Sequence, residues 1–599
     1  MVKHTLAGSA SALLVAGFAT LLVAGSAYFS PLAAQTTVVA TPSVVKVLRK
    51  ETALLVHAPN ITSLLQKIEA SPIYQLKNQP EFAKLFATFK DGIEAFRSEA
   101  KNEANVDPIE MLEAIKGEVV ITFGDVGPLI AALSESILNM EEPDLKGDMI
   151  PFLVAVDTGS GRAEFKKNLY ALLAFAVKEG VGVKTDKFHG GKNTTLSPPE
   201  GSSSGPEGLY LGELGTKYFF SVSKKFLEKT MVDLSKDAVE GTLAKTPEFR
   251  ASHEFACKGS DFFVFVNLKP ILKAVDQAMS ANPFVFVWQT ISEILFGKSL
   301  NNIAISYTLE KDAIRLRSFV HNGGADDGIL GWFKSKPFSP VPPTIVPDDS
   351  LSYATTGLNG EAIGASVRKI LELVQSFAAL SGEVVDIEQM FEENVGVKFS
   401  TFLKSIGNRL HFFAGDMPSA ANPVGDYSII LELKDDAVWK KLIDKGLEMT
   451  GGALQPKKYM GRDIFTAGAA ADGLGGMDPA LCVTDKMLLF SLSPKAIEKV
   501  IRRIGKDVPG IGDKPEFKKL ASDLPSKVTS VTFTSKEYSE SSMKVLEEMM
   551  SSGILPTDEL PPGLIEFVLA ISKTMGDAVG YSTWNDSGYF SESVAPYRK

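Results

Sequence analysis

Ser221-Val222-Ser223-Lys224 has the Ser-x-x-Lys spacing that sets a lysine beside a serine nucleophile at a helix start. The same spacing recurs at Ser98–Lys101 and Ser541–Lys544, and no Ser-Asp-Asn or Lys-Thr-Gly element accompanies it. Gly201-Ser202-Ser203-Ser204-Gly205 matches the nucleophile-elbow pattern, which needs a strand before it and a helix after it. Here Pro198-Pro199 precedes and Pro206 follows, so linker composition explains the match. Gly297-Lys298-Ser299 ends like a phosphate-binding loop, but Ser292 stands where the first glycine belongs. Gly473-Leu474-Gly475-Gly476 lacks a following helix and a Lys-Ser/Thr pair. The six histidines are His4, His57, His189, His253, His321 and His411, and none stands at metal-ligand spacing from another. Asp386, Glu388, Glu392 and Glu393 share one helical stretch and read as a solvated face; the alternative is a calcium site or a glycosidase pair. No catalytic, cofactor-binding or metal-ligating residue is therefore assigned, and no cofactor is expected.

The Ser-x-x-Lys match has a second explanation, because the chain repeats itself. Phe220-Ser221-Val222-Ser223-Lys224-Lys225-Phe226-Leu227-Glu228-Lys229 returns as Phe490-Ser491-Leu492-Ser493-Pro494-Lys495-Ala496-Ile497-Glu498-Lys499. Thr246-Pro247-Glu248-Phe249 returns as Lys514-Pro515-Glu516-Phe517, again about 270 residues on. Gly117–Asp125 pairs with Gly407–Asp416, with one residue inserted, and Phe188-His189-Gly190-Gly191 pairs with Tyr459-Met460-Gly461-Arg462. A diverged tandem duplication accounts for this spacing. It places one copy at 48–333 and the other at 348–599. The run 334–347, dense in proline, is expected to be a semi-rigid linker. Under the repeat, Ser221 and Ser223 end a strand and cap a helix, and Pro494 stands where a catalytic lysine would have to be. Ser493 is expected to cap in the same way.

The first 34 residues form a separate module. Lys3 and His4 precede an uncharged apolar stretch to about Tyr28, and small residues follow to Leu32-Ala33-Ala34. That is the order of a secretory signal, with cleavage expected after Ala34 or, next, after Ala27. The stretch is also long enough to stay as a membrane anchor. No cysteine follows it, which excludes a lipoprotein anchor there. Leu564–Ile571 and Phe284–Phe296 are too short to span a bilayer. A net charge of −10 argues against a nucleic-acid partner, and the basic pairs Lys224-Lys225 and Lys457-Lys458 are isolated. Only Cys257 and Cys482 occur, and they do not align in the repeat; two idle thiols or one bridge between copies remain open.

Alternating or apolar runs predict strands at 118–123, 152–156, 218–222, 261–266, 303–309 and 314–320, and in the second copy at 410–413, 427–433, 487–492, 528–533 and 579–583. Helical periodicity marks 162–178, 226–234, 362–380, 437–450 and 495–504; Ile370, Leu373, Val374 and Phe377 share one face. Connections such as Leu214-Gly215-Thr216-Lys217 and Thr484-Asp485-Lys486 are too short for parallel crossovers and predict hairpins. The fold class expected is α+β: two tandem copies of a mainly antiparallel β-sheet domain with helices packed on one face. Ser197–Gly208 and Gly468–Gly476 read as surface loops, or as partner-binding loops.

The series Lys457–Phe465, Leu488–Ser493, Lys514–Phe517 and Val531-Thr532-Phe533 resembles uncharacterised exported bacterial proteins of the planctomycete type, described as domains of unknown function. The resemblance covers most of both copies. It implies export and a repeated α+β fold, and it carries no catalytic residues. The function expected is an exported, non-enzymatic binding or structural protein of the envelope or periplasm. Its partner would be an unknown envelope protein. The alternative is a lipid or apolar-ligand carrier using a cavity near Phe284–Trp288 and Leu564–Leu569; a hydrolase is the weakest reading.

Overall fold

A computed structural model describes residues 43–75, 94, 97–98, 100–139, 145–199, 208–236, 238–280, 285–380, 386–417, 426–449, 455–466, 478–551 and 572–598. The N-terminal module lies outside the described residues, as do the centres of both Gly-rich excursions. No helix among the described residues is long and apolar enough to cross a membrane. The chain is mixed helix and strand, and every strand pairing quoted below is antiparallel. It divides into two units. One runs to Val285 and includes Asn301–His321; the other comprises Phe286–Leu300 and Asn322 onwards.

The first unit contains β1 (Leu54–Ala58), β2 (Val119–Phe123), β3 (Phe152–Asp157), β4 (Gly182–Phe188), β5 (Gly191–Ser197), β6 (Leu209–Leu214), β7 (Lys217–Ser221), β8 (Phe262–Asn267), β9 (Asn302–Leu309) and β10 (Ala313–His321). Their pairings give the order β4-β5-β6-β7-β3-β2-β1-β8-β9-β10. Helices α1 (Ile61–Ala70), α2 (Pro108–Glu113) and α3 (Arg162–Lys178) cover one face. Ile61, Met111, Leu112, Phe165 and Leu169 pack there on Val119, Val154, Val156, Leu211 and Tyr218. Helices α4 (Lys224–Leu234) and α5 (Pro247–Ser252) pack on β6 and β7 and on β9 and β10. A Cβ on Gly212, the neighbour of Leu211 on β6, would lie 2.6 Å from Met231 and 3.2 Å from Leu227 of α4. Successive strand residues face opposite sides, so α4 lies on the face away from α3. The expectation of helices on one face is thus corrected. The central strands carry apolar residues at successive positions, as in Phe152–Asp157, because both faces are buried.

The second unit contains β11 (Ser352–Gly357), β12 (Ile406–Ala414), β13 (Tyr427–Leu433), β14 (Gln455–Tyr459), β15 (Arg462–Thr466), β16 (Ala480–Thr484), β17 (Met487–Ser491), β18 (Ser530–Thr534), β19 (Ala578–Asn585) and β20 (Gly588–Pro596). Their order is β14-β15-β16-β17-β13-β12-β11-β18-β19-β20. Position by position, this is the strand order of the first unit. Helices α6 (Gly360–Leu380) and α7 (Phe399–Ser405) pack on β12. Ile497, Val500 and Ile501 of α8 (Pro494–Arg503) and Phe517 of α9 (Pro515–Ala521) build a core on Tyr353, Phe413, Ile430, Leu489, Val531 and Phe533. The register of β12 against β13 breaks between Ile406 and Leu410.

The Pro-rich run is not a free linker. Phe338 and Val528 exchange backbone bonds of 2.8 and 2.9 Å, Val346 is fully buried in the core of the second unit, and Pro347 bridges to Gly510. Residues 43–50 do the same in the first unit: Val44, Val45 and Leu48 are buried, and Arg49 bridges to Thr242. Proline suits such a strap because it needs few ladder donors. The expected boundaries shift accordingly: residues 286–300 and 322–347 belong with the second unit.

Candidate functional site

The paired serines are the first positions to place. Ser221 ends β7 and is buried; its Oγ donates to the carbonyl of Phe152 at 2.6 Å and accepts from the N–H of Ser223 at 3.0 Å. Ser491 ends β17 in the same way, donating to Tyr427 O at 3.1 Å and accepting from Ser493 N at 3.2 Å. Both hydroxyls therefore pin the end of one strand to the start of its neighbour. Lys224 is exposed, with Nζ 3.8 Å from Glu228. Ser223 caps α4, accepting from Phe226 N at 3.2 Å. Ser493 stands at the matching position but its side chain makes no capping bond. The expected Ser493 cap is thus corrected: the N–H of Ala496, the third helical residue, donates to the Ser493 carbonyl at 3.2 Å instead of to its side chain.

Other singled-out residues are also engaged locally. Asp386 caps the helix Ile387–Val395 by accepting from Gln389 N at 3.0 Å, and Glu388 accepts from Ser400 N at 3.2 Å. Lys298 lies 2.8 Å from Glu293, and its N–H donates to Asp327. Cys257 and Cys482 are free and buried, and burial pushes their thiols up to about 12 and about 11. Among the described residues no group of three or more His, Cys, Asp and Glu side chains is placed to hold a metal. Gly201–Gly205, Gly473–Gly476, Phe284 and Leu564–Leu569 lie outside the described residues.

Two buried polar networks went unnoticed in the sequence. In the first unit Lys217 Nζ sits 2.6 Å from Glu118 Oε1 and 2.9 Å from Asp157 Oδ2. Glu118 also accepts from Ser43 Oγ at 2.7 Å and Val44 N at 2.8 Å, and His57 Nε2 is 3.3 Å away. Burial alone would raise the Glu118 carboxyl; His57, the Lys217 ammonium and Ser43 outweigh it and hold it at about 2. In the second unit Tyr353 Oη is 3.1 Å from His411 Nδ1, and Arg409 lies 2.7 Å from Glu432. The first network is buried and Glu118 in it moors the strap at Ser43-Val44; in the second, Tyr353 and His411 are buried while Arg409 and Glu432 reach partly into solvent.

Among the described residues the second unit holds a cavity of about 270 Å³, lined by Phe333, Ala354, Thr355, Thr356, Phe412, Ser530 and Tyr589. Its floor is formed by three adjacent strands: Phe412 faces Ala354, and Thr356 faces Ser530. Its walls are aromatic. Phe333 is held by Trp584, whose Nε1 donates to its carbonyl at 3.1 Å, and Trp584 and Tyr589 lie 5.3 Å apart. Burial pushes the Tyr589 phenol up, so it is neutral at physiological pH. The lining carries no formal charge. Neither aromatic wall had a sequence signal, since Phe333 and Tyr589 lie more than 250 residues apart. Comparison with family models, curated proteins and solved structures finds no match.

Proposed function

We propose that the chain is an exported, non-enzymatic binding protein of the cell envelope or periplasm, built from two copies of one α+β domain. The identical strand order of the two units supports duplication, and the order of residues in the first 34 positions supports export. The observation that carries a binding role is the outer face of α6. Ile370, Val374 and Phe377 recur at i, i+4 and i+7 and are 41%, 47% and 41% exposed. Phe377 rests in part on Phe286, with ring centroids 5.6 Å apart, and the rest of the stripe is an exposed apolar surface of the kind that interaction sites use. A partner of the envelope, with its own apolar face, fits that stripe; the acidic chain gives nucleic acid no footing.

Native mass spectrometry of the protein purified from its host tests this. A bound protein that is lost on Val374→Glu supports the reading, as does a mature N-terminus at Gln35 or a retained anchor. A chain recovered from the cytoplasm, or a stripe variant with unchanged bound species, overturns it. The carrier reading is favoured by the cavity of the second unit and would show as a co-purifying small molecule instead.

A further inference from the structure

The two sheets can be matched row by row through their paired serines. Across the first, Ser221 stands in line with Leu153, Thr122, Leu55, Phe265 and Ala304. Across the second, Ser491 stands in line with Ser428, Phe413, Tyr353, Phe533 and Val579. One step along each strand from these rows lies the face that holds the cavity. There Val56 of the first unit corresponds to Ala354, Val264 to Thr532, and Ile305 to Gly580. Two residues further, Phe262 corresponds to Ser530 and Tyr307 to Ser582. Of these positions Ala354 and Ser530 line the cavity, where they stand against Val56 and Phe262; on the same face Ile121 corresponds to Phe412 and Ala58 to Thr356, so the floor is lowered at two positions while the wall at Phe412 is raised. Thr532 even leans over Gly580, where a Cβ would come within 2.8 Å of its hydroxyl.

We infer that the second unit is the ligand-binding copy, and that its cavity takes an uncharged ligand, apolar over most of its surface, with one hydrogen-bonding group. This rests on the carrier reading. At the cavity the floor loses volume on two adjacent strands, at Ala354 and Ser530, beneath the aromatic side chains Phe333, Phe412 and Tyr589. A charged ligand would have to leave water without a partner, since no acid, amine or guanidinium lines the site. The floor offers the hydroxyls of Thr356 and Ser530, the small polar complement that orients a ligand in an otherwise apolar pocket. The volume of about 270 Å³ lies just below the usual range for ligand sites, so a small molecule or the end of an acyl chain fits, not a whole lipid.

The test uses the full chain and the neutral fluorescent probe N-phenyl-1-naphthylamine. Saturable binding is expected, with competition by 1-octanol; added competition by monoolein identifies a chain end, and its absence a small free ligand. Ser530→Phe and Ala354→Val restore the side chains of the first unit and fill the site. Each is expected to weaken the probe at least tenfold, with far-UV circular dichroism and melting temperature kept or raised. Phe333→Ala, which removes a wall without overfilling the floor, is expected to weaken it as well and covers the case in which Ser530→Phe does not fold. Ile137→Ser, at an exposed position of the first unit, is expected to leave binding unchanged. Probe binding that survives both filling and wall removal, or that neither competitor displaces, overturns the assignment of this site and leaves the carrier reading standing. No saturable binding overturns both.

Discussion

Single hydroxyls show how closely related positions diverge in energetic weight. Ser221 Oγ is the partner of a buried Ser223 N–H and a strand carbonyl. Ser221→Ala is therefore expected to cost about 1–3 kcal/mol, the penalty of orphaning buried groups, rather than the small effect a surface motif would give. Ser223→Ala should cost about 1 kcal/mol through the lost cap, and Ser493→Ala close to nothing. Urea unfolding of the three variants checks the order; equal losses at Ser223 and Ser493 would contradict it. Glu118 supplies a pH signature. Its carboxyl is lowered in the folded state to about 2 from an ordinary value of 4.5, so its contribution is fully present above about pH 4.5 and is lost as pH falls through 2. Glu118→Gln leaves Lys217 buried against Asp157 alone, expected to cost about 3 kcal/mol at neutral pH. Stability measured from pH 6 to pH 2 should then fall less steeply in the variant than in the wild type.

At the scale of elements, the repeated aromatic-x-Gly module is a hairpin turn. His189-Gly190 joins β4 to β5 and Met460-Gly461 joins β14 to β15, and all four residues have positive φ, between 44° and 81°. That backbone is the two-residue turn whose twist suits paired strands. A Cβ at Gly461 would meet nothing within 4 Å, so Gly461→Ala isolates the cost of the left-handed backbone: about 1–2 kcal/mol, read from thermal or urea unfolding. No loss would mean that the turn relaxes. The flanking strands were missed in the sequence because β4 and β14 lie largely exposed and read as polar loop. The Pro-rich strap was misread for the opposite reason. Proline excludes helix and central strand, but it does not exclude an extended segment whose Val346 is buried and whose Phe338 is half-buried by tertiary contacts.

Over the whole molecule, what was legible in the residues is whatever local chemistry repeats. The antiparallel α+β class follows from connections too short for crossovers, and the strand ends, helix starts and tight turns follow from Ser, Pro and Gly at matched spacing. The amphipathic helices at 162–178 and 362–380 follow from periodicity. Burial of a sheet on both faces was not legible, because an apolar strand does not say which helix covers it. The mooring of Glu118 was not legible either: its partners Ser43, His57, Asp157 and Lys217 meet only when four segments close. The cavity belongs to the same class. Ala354, Thr356 and Ser530 are unremarkable small residues in sequence, and only the register of β11 and β18 sets them on one floor. Local periodicity and turn chemistry act between neighbours in the chain, so sequence alone determined most of the helices, the buried strands and their tight connections. Volume is set by residues hundreds of positions apart, so only the tertiary structure decided where the protein is hollow.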